Sequence, residues 1–198
     1  MTVDRLAMLL IGYLLGSIPF GYLYSRWIEG VNIREKGSGN IGATNLMRNF
    51  GWIPGFSTLF ADGLKGALPA GFCYYYAYSG ELTLALAVGG MAILGHIYPL
   101  YLRFRGGKGV ATSAGVFLVL APLETLGALV VFLAGVGITR YMSVGSLSGA
   151  LALPLISSYY YGPSNALSIA CLLLAIMIFW QHRGNIRRLV RGEEHTFF

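Results

Sequence analysis

Between Leu6 and Tyr24 the chain runs for 19 residues without an Asp, Glu, Lys or Arg. A helix rises about 1.5 Å per residue, so a run of that length reaches across most of the ~30 Å hydrocarbon core of a bilayer. Comparable apolar segments follow at Ile53–Tyr78, Leu82–Leu102, Val110–Leu123, Thr125–Thr139, Val144–Tyr161 and Ala166–Trp180. Lipid offers no partners to backbone N–H and C=O groups, so segments of this kind must bond internally as helices. Only 11% of residues are charged against 56% hydrophobic, where a soluble domain carries about 25% charged residues. The chain reads as an all-α integral membrane protein, one domain over residues 1–198. The residues after Met1 lack the h-region and A-x-A pattern of a cleaved signal, so Leu6–Tyr24 is expected to be the first permanent helix.

Val110–Thr139 is open to two readings, one long helix or two short ones parted at Pro122 and Glu124. Proline interrupts a helix and an acid at mid-bilayer is costly, which favours a tight hairpin. Topology decides the same way. With seven helices, Arg26, Arg34, Lys36, Arg48, Arg103, Lys108, Arg140 and the arginines from 183 to 191 share one side. The turns near Gly80, Glu124 and Gly162 then hold no Lys or Arg. Positive charge marks the cytoplasmic side, so the N-terminus is expected outside and the C-terminus in the cytoplasm. The net charge of +6 thereby finds its explanation in topology, and nothing calls for nucleic acid.

At one cytoplasmic connection lies RFRGGKGVATS, Arg103 to Ser113. Glycines without Cβ let backbone N–H groups approach an anion, and Lys108 adds a point charge. If Val110 starts a helix, its first turn contributes further donors and the positive end of the dipole. Gly106, Gly107, Lys108 and Gly109 are therefore candidate phosphate ligands. The plainer reading is a basic turn that fixes topology. G-x-x-x-x-G-K-[ST] is absent, which removes the ATPase reading.

Two further polar stretches share that face. NIREKGSGNIGATNLMRNFG, Asn32 to Gly51, offers Ser38, Asn40, Thr44 and Asn45, with Arg48 able to grip a phosphate bidentately. Thr44–Phe50 suits a short helix, placing Arg48 one turn from Thr44 and Asn45. QHRGNIRRL, Gln181 to Leu189, sets His182 and Asn185 three apart, on one face if the helix continues. His182 is the histidine best placed for proton transfer. His96, in GHIYP, either supports the glycine loop or bonds within the bundle, and bundle support is the expectation. Asp62 and Lys65 can pair inside the second segment, and Ser146 stands near the start of the sixth helix. Gly12–x-x-x–Gly16 reads as packing. Cys73 and Cys171 lie in apolar runs and suggest neither disulfide nor nucleophile. His and acidic residues show no metal-ligand spacing, and no cofactor motif is present. Together the three stretches describe a cytoplasmic-side pocket for an anionic small molecule. An anion transporter with an inner vestibule fits less well, because no inverted repeat is visible and the polar groups gather on one side. A non-catalytic lipid-binding protein leaves the inward polar groups without purpose.

SGNIGATN at Ser38–Asn45, GGKGVAT at Gly106–Thr112 and HRGNIRRL at His182–Leu189, with GHIYP, DGLKG and the tail EEH, closely resemble the bacterial acyl-phosphate:glycerol-3-phosphate acyltransferase family (PlsY) over essentially the whole chain. The resemblance implies a seven-helix enzyme of the bacterial inner membrane that moves a fatty acyl group from acyl phosphate to the 1-hydroxyl of glycerol 3-phosphate, giving lysophosphatidic acid and phosphate. It implies substrate phosphate at the glycine-lysine loop, with Ser38, Asn40 and Arg48 functional in the first motif and His182 and Asn185 in the third. Ser146 matches more loosely. It also implies no cofactor, lipid as neighbour, a monomer, and a functional link to the enzyme that makes acyl phosphate. In the family the third motif reads H-x-E-N, whereas Gly184 stands here at the glutamate position. Glu193 or Glu194 is expected to supply that acid. An acyl phosphate is already activated, so direct transfer is expected, with either His182 or a substrate phosphate oxygen taking the proton.

Overall fold

A computed structural model describes residues 2–197. Its regular elements are helices, and among the described residues there is no strand. The chain divides into two compact units, one ending at Leu120 and the other beginning at Ala121.

The first unit starts with α1 (Val3–Gly16) and α2 (Phe20–Trp27). A single helix was expected over Leu6–Tyr24. Pro19 has no N–H to continue the ladder, and the chain breaks at Ser17–Pro19. Ser17 Oγ returns to Tyr13 O at 2.8 Å, satisfying one carbonyl at the break. Next come α3 (Ala43–Phe50), α4 (Trp52–Phe72), α5 (Leu82–Ile97) and α6 (Val110–Leu120). A π-helical turn, Cys73–Ala77, ends the second apolar segment.

Helix packing in this unit rests on residues without side chains. A Cβ on Gly16 would strike the backbone of Ala92, and one on Gly95 the carbonyl of Tyr13. α1 therefore lies backbone to backbone on α5, and Gly12 and Gly16 serve packing as expected. The same holds between α4 and α6, where Gly115 abuts Gly63 and Gly66 abuts Thr112.

The second unit comprises α7 (Pro122–Thr139), α8 (Met142–Tyr161), α9 (Ala166–Gln181) and α10 (Arg183–Arg191). Pro122 was expected in a turn. It opens α7 instead, because the first helical position needs no N–H donor. Glu124 consequently falls in the first turn of α7, buried at 3% exposure and beside the positive helix end. α7 and α8 pack at Gly145, whose Cβ would meet the Phe132 carbonyl. Ser157 and Ser168 hydroxyls, 3.0 Å apart, join α8 to α9.

By length and composition four spans qualify, Val3–Trp27, Leu82–Leu102, Pro122–Thr139 and Met142–Tyr161, and a fifth if α9 and α10 count as one despite their 56° bend. The chain is a multi-pass membrane protein. α4 is long enough at 21 residues but carries Asp62 and Lys65, and α6 has 11, roughly 16 Å of helix. Those two, and α9 where its bent pair is not counted, account for the difference from the seven helices read in the sequence.

Candidate active site

In the first unit the stretch from Asn32 folds around one side chain. Asn45, only 3% exposed on α3, donates its amide toward Asn40 O at 2.8 Å, Lys36 O at 3.1 Å and Ile33 O at 3.4 Å. Its Oδ1 accepts from Ser38 N and from Asn49 Nδ2, both at 3.1 Å. A short loop cannot bond to itself as a helix does, so one buried amide completes its backbone partners. Asn40 Oδ1 accepts from Gly42 N at 2.8 Å just before α3 begins. This leaves Ser38 and Arg48 exposed and Asn40 half-buried. The expected short helix is present, with Arg48 one turn beyond Thr44 and Asn45.

The glycine-lysine loop returns along the end of α5. Phe104 N donates to Pro99 O, Gly106 N to Ile97 O at 3.1 Å and Gly107 N to His96 O at 3.1 Å. The N–H groups of Gly106 and Gly107 were expected to point at an anion. They cap α5 instead, since carbonyls at a helix end need donors. These glycines also allow close approach: a Cβ on Gly106 would overlap the His96 carbonyl, and one on Gly107 the His96 ring. Gly109 has a different reason, a φ of +85° that L side chains rarely adopt. Its carbonyl accepts from Ser113 N at 2.8 Å in the first turn of α6. Lys108 lies half-buried between these fixed glycines.

An apolar cluster brings the two stretches together. Leu102, which leads into the loop, packs with Ile33, Ile41 and Leu46 of the Asn32–Gly51 stretch. The sequence reading missed this cluster. Hydrophobic residues in polar loops at irregular spacing carry no periodic signal.

In the second unit His182 sits at the bend between α9 and α10, 2% exposed. Its Nδ1 is 2.8 Å from Ile178 O. A carbonyl can only accept, so Nδ1 carries the hydrogen and Nε2 of the neutral ring carries the lone pair. Asn185 follows one turn later, 7% exposed, and donates to Glu194 Oε1 at 2.6 Å. Glu194 also accepts from Ser143 at 3.0 Å and from Arg188 Nε at 2.7 Å. Of the two acids expected to stand in for the one missing at Gly184, Glu194 is the one that meets Asn185. Burial raises the Glu194 pKa, but the hydrogen bonds from Asn185, Arg188 and Ser143 and the Arg188 charge outweigh it, and the carboxyl is held below its ordinary value. Ser146 Oγ donates to Met142 O at 2.8 Å, so its hydroxyl hydrogen serves its own helix.

Asp62 and Lys65 form the expected pair, 2.7 Å apart. Lys65 also donates to Ile18 O at 2.7 Å, a carbonyl exposed by the break before Pro19. His96, expected to support the bundle, faces Asp62 and supports the glycine loop as well.

A family profile described as Glycerol-3-phosphate acyltransferase matches residues 6–192. A glycerol-3-phosphate acyltransferase of Myxococcus xanthus (strain DK1622) is 45% identical over 191 residues, covering 96% of this chain and 98% of the relative. Two crystal structures of PlsY, an integral membrane glycerol 3-phosphate acyltransferase, are similar throughout. The glycerol 3-phosphate form has a TM-score of 0.92 at 34% identity, covering 98% of this chain and 96% of that one. The lysophosphatidic acid form has a TM-score of 0.88 at 34% identity, covering 98% and 95%.

Proposed function

Because this chain belongs to the glycerol-3-phosphate acyltransferase family, we propose that it transfers a fatty acyl group from acyl phosphate to the 1-hydroxyl of sn-glycerol 3-phosphate, releasing lysophosphatidic acid and inorganic phosphate. The observation that carries this reading is that the family match over residues 6–192 includes all three polar stretches. In this reading residues 1–198 act as one catalytic domain and as a monomer. The chain crosses a bacterial inner membrane seven times, with the N-terminus outside and all three stretches on the cytoplasmic side.

The hydroxyl oxygen attacks the acyl carbonyl, the bond from carbonyl carbon to phosphate oxygen breaks, and phosphate leaves with the electron pair. No acyl-enzyme is needed, because the mixed anhydride already has a good leaving group. The task is orientation and charge stabilisation. Lys108 and Arg48 hold phosphate, Lys108 as a point charge and Arg48 as a fork. Gly106, Gly107 and Gly109 shape the loop that carries Lys108, and Asn40 and Ser146 are further candidates for phosphate contact. Ser38 and Asn185 orient the reacting groups. The proton leaves the hydroxyl for His182 Nε2, the nitrogen that the bond from Nδ1 to Ile178 O keeps as acceptor. A substrate phosphate oxygen is the other acceptor. The acyl-phosphate-producing enzyme is the natural supplier of the donor.

A donor swap tests the reading. Purified protein given palmitoyl phosphate and glycerol 3-phosphate should release phosphate and form lysophosphatidic acid in equal amounts, with palmitoyl-CoA ineffective. Equal use of the thioester removes the donor assignment. Uptake of labelled glycerol 3-phosphate into proteoliposomes without donor would instead favour a transporter.

A further inference from the structure

The Asp62–Lys65–His96 group lies outside the three polar stretches, is almost wholly buried, and ends on the glycine-lysine loop. Lys65 Nζ is 2.7 Å from both Ile18 O and Asp62 Oδ1. Asp62 Oδ1 is 3.6 Å from His96 Nδ1. Asp62, Lys65 and His96 are 2%, 5% and 4% exposed. On its far side the His96 ring occupies the space that a Cβ on Gly107 would need, the nearest ring atom being Nε2. The His96 carbonyl meanwhile accepts the Gly107 N–H at 3.1 Å. His96 therefore holds Gly107 twice, by its backbone and by its ring, and the next residue is Lys108.

Paired charges in a low-dielectric interior persist only where geometry is fixed, and breaking one partner leaves an uncompensated charge. A pair placed solely to join helices has no reason to press an imidazole against a loop glycine. We propose that His96, oriented by the Asp62–Lys65 pair, is a positioning residue that fixes the Gly106–Gly109 loop and with it the Lys108 ammonium. This rests on the reading of that loop as a phosphate site. The ion pair faces the ring across 3.6 Å and attracts it by charge, the ring and carbonyl set Gly107, and Gly107 sets where Lys108 leaves the backbone.

Two positions test the contact by coupling. Gly107 is absent from the positive-φ residues, and the nearest atoms an alanine Cβ meets there are those of the His96 ring. Gly107→Ala, His96→Ala and the double variant are purified in detergent. KM for each phosphorylated substrate is measured, with the rate of tryptic cleavage after Arg105 and Lys108 as a readout independent of activity. Each single variant should raise KM for one phosphorylated substrate about tenfold, and speed cleavage similarly, and the double variant should be no worse than the poorer single, since neighbours in contact are not additive. Multiplicative effects in the double variant, or unchanged KM and cleavage in His96→Ala, would overturn the proposal.

His96→Asn separates positioning from bulk stability, and serves if His96→Ala does not fold. It keeps a nitrogen donor toward Asp62 but withdraws the ring from Gly107. Its melting temperature should stay near that of the parent while KM rises; a lower melting temperature with unchanged KM means the group is only structural. Lys108→Ala is the control. If it leaves both KM values unchanged, the phosphate reading fails, and the cleavage data still report on positioning alone.

Discussion

Glu194 Oε1 lies 2.6 Å from Asn185 Nδ2, so a residue in the C-terminal tail fixes the amide of a helix residue nine positions earlier. The same carboxylate holds Ser143 and Arg188, which ties the tail to the start of α8 and the last turn of α10. Removing it strands an amide that the reaction is expected to use. Glu194→Ala should lower kcat by about 10- to 100-fold, the scale on which small misplacements act. Glu194→Gln, which keeps an acceptor for Asn185, should retain more activity. Steady-state kinetics of the two variants check this.

The charge of Glu194 also predicts a pH dependence. Its folded pKa is lowered, so the folded state prefers the carboxylate. Its contribution to stability is fully present above the ordinary glutamate range and is lost as pH falls through the lowered folded value. The difference in melting temperature between the parent and Glu194→Gln should hold steady near neutrality and shrink only in acid. A difference that grew as pH fell would contradict the assigned sign.

Much of the fold was legible because membrane helices announce themselves as apolar runs. The positive charges argued for a count of seven, of which length and composition bear out four spans, or five with the bent pair. Less legible was what happens at the ends of those runs. Pro19 sits within an uninterrupted apolar stretch, and nothing local says that Lys65 will reach back to Ile18 O at 2.7 Å. The tail acid was visible as a candidate, but only distance selects Glu194 over Glu193. For the glycine-lysine loop the sequence offered an incomplete reason for its glycines. Gly106 and Gly107 are required by contact with His96, which no spacing rule encodes, while Gly109 is required by its own φ. Asn45 was seen as one amide among several, and its place at the centre of the loop depends on carbonyls 5 to 12 residues away.

That central place makes Asn45 the most sensitive residue of the first polar stretch. Asn45→Ala removes the donor to Asn40 O and Lys36 O and the acceptor for Ser38 N. Leaving buried polar groups unpartnered costs about 1–3 kcal/mol each. Thermal unfolding in detergent should show a clear drop, with activity falling alongside. Asn45→Asp keeps the acceptor but turns a carboxylate oxygen toward the carbonyls of Asn40 and Lys36 in a buried site, and should cost at least as much as alanine.

Lys108 should behave differently from Asn45. It is half-buried and its loop is held by backbone bonds from its neighbours. Lys108→Ala is therefore expected to leave the melting temperature within a few degrees while abolishing transfer, mainly through KM. Lys108→Arg should not restore the parent rate, because a planar fork does not replace a compact ammonium. Kinetics with both substrates varied, beside thermal unfolding, check the pair.

His182 Nδ1 is committed to Ile178 O at 2.8 Å, which leaves Nε2 as the acceptor of the neutral ring. His182→Ala should lower kcat by about 10²- to 10⁴-fold, the usual worth of a positioned base. His182→Asn can keep the bond from the Nδ1 position to Ile178 O but has no group at Nε2. If it is as slow as alanine while melting like the parent, the lost function is proton transfer and not the shape of the bend. A full rate in both variants would instead assign the proton to a substrate phosphate oxygen and leave His182 as the hinge between α9 and α10.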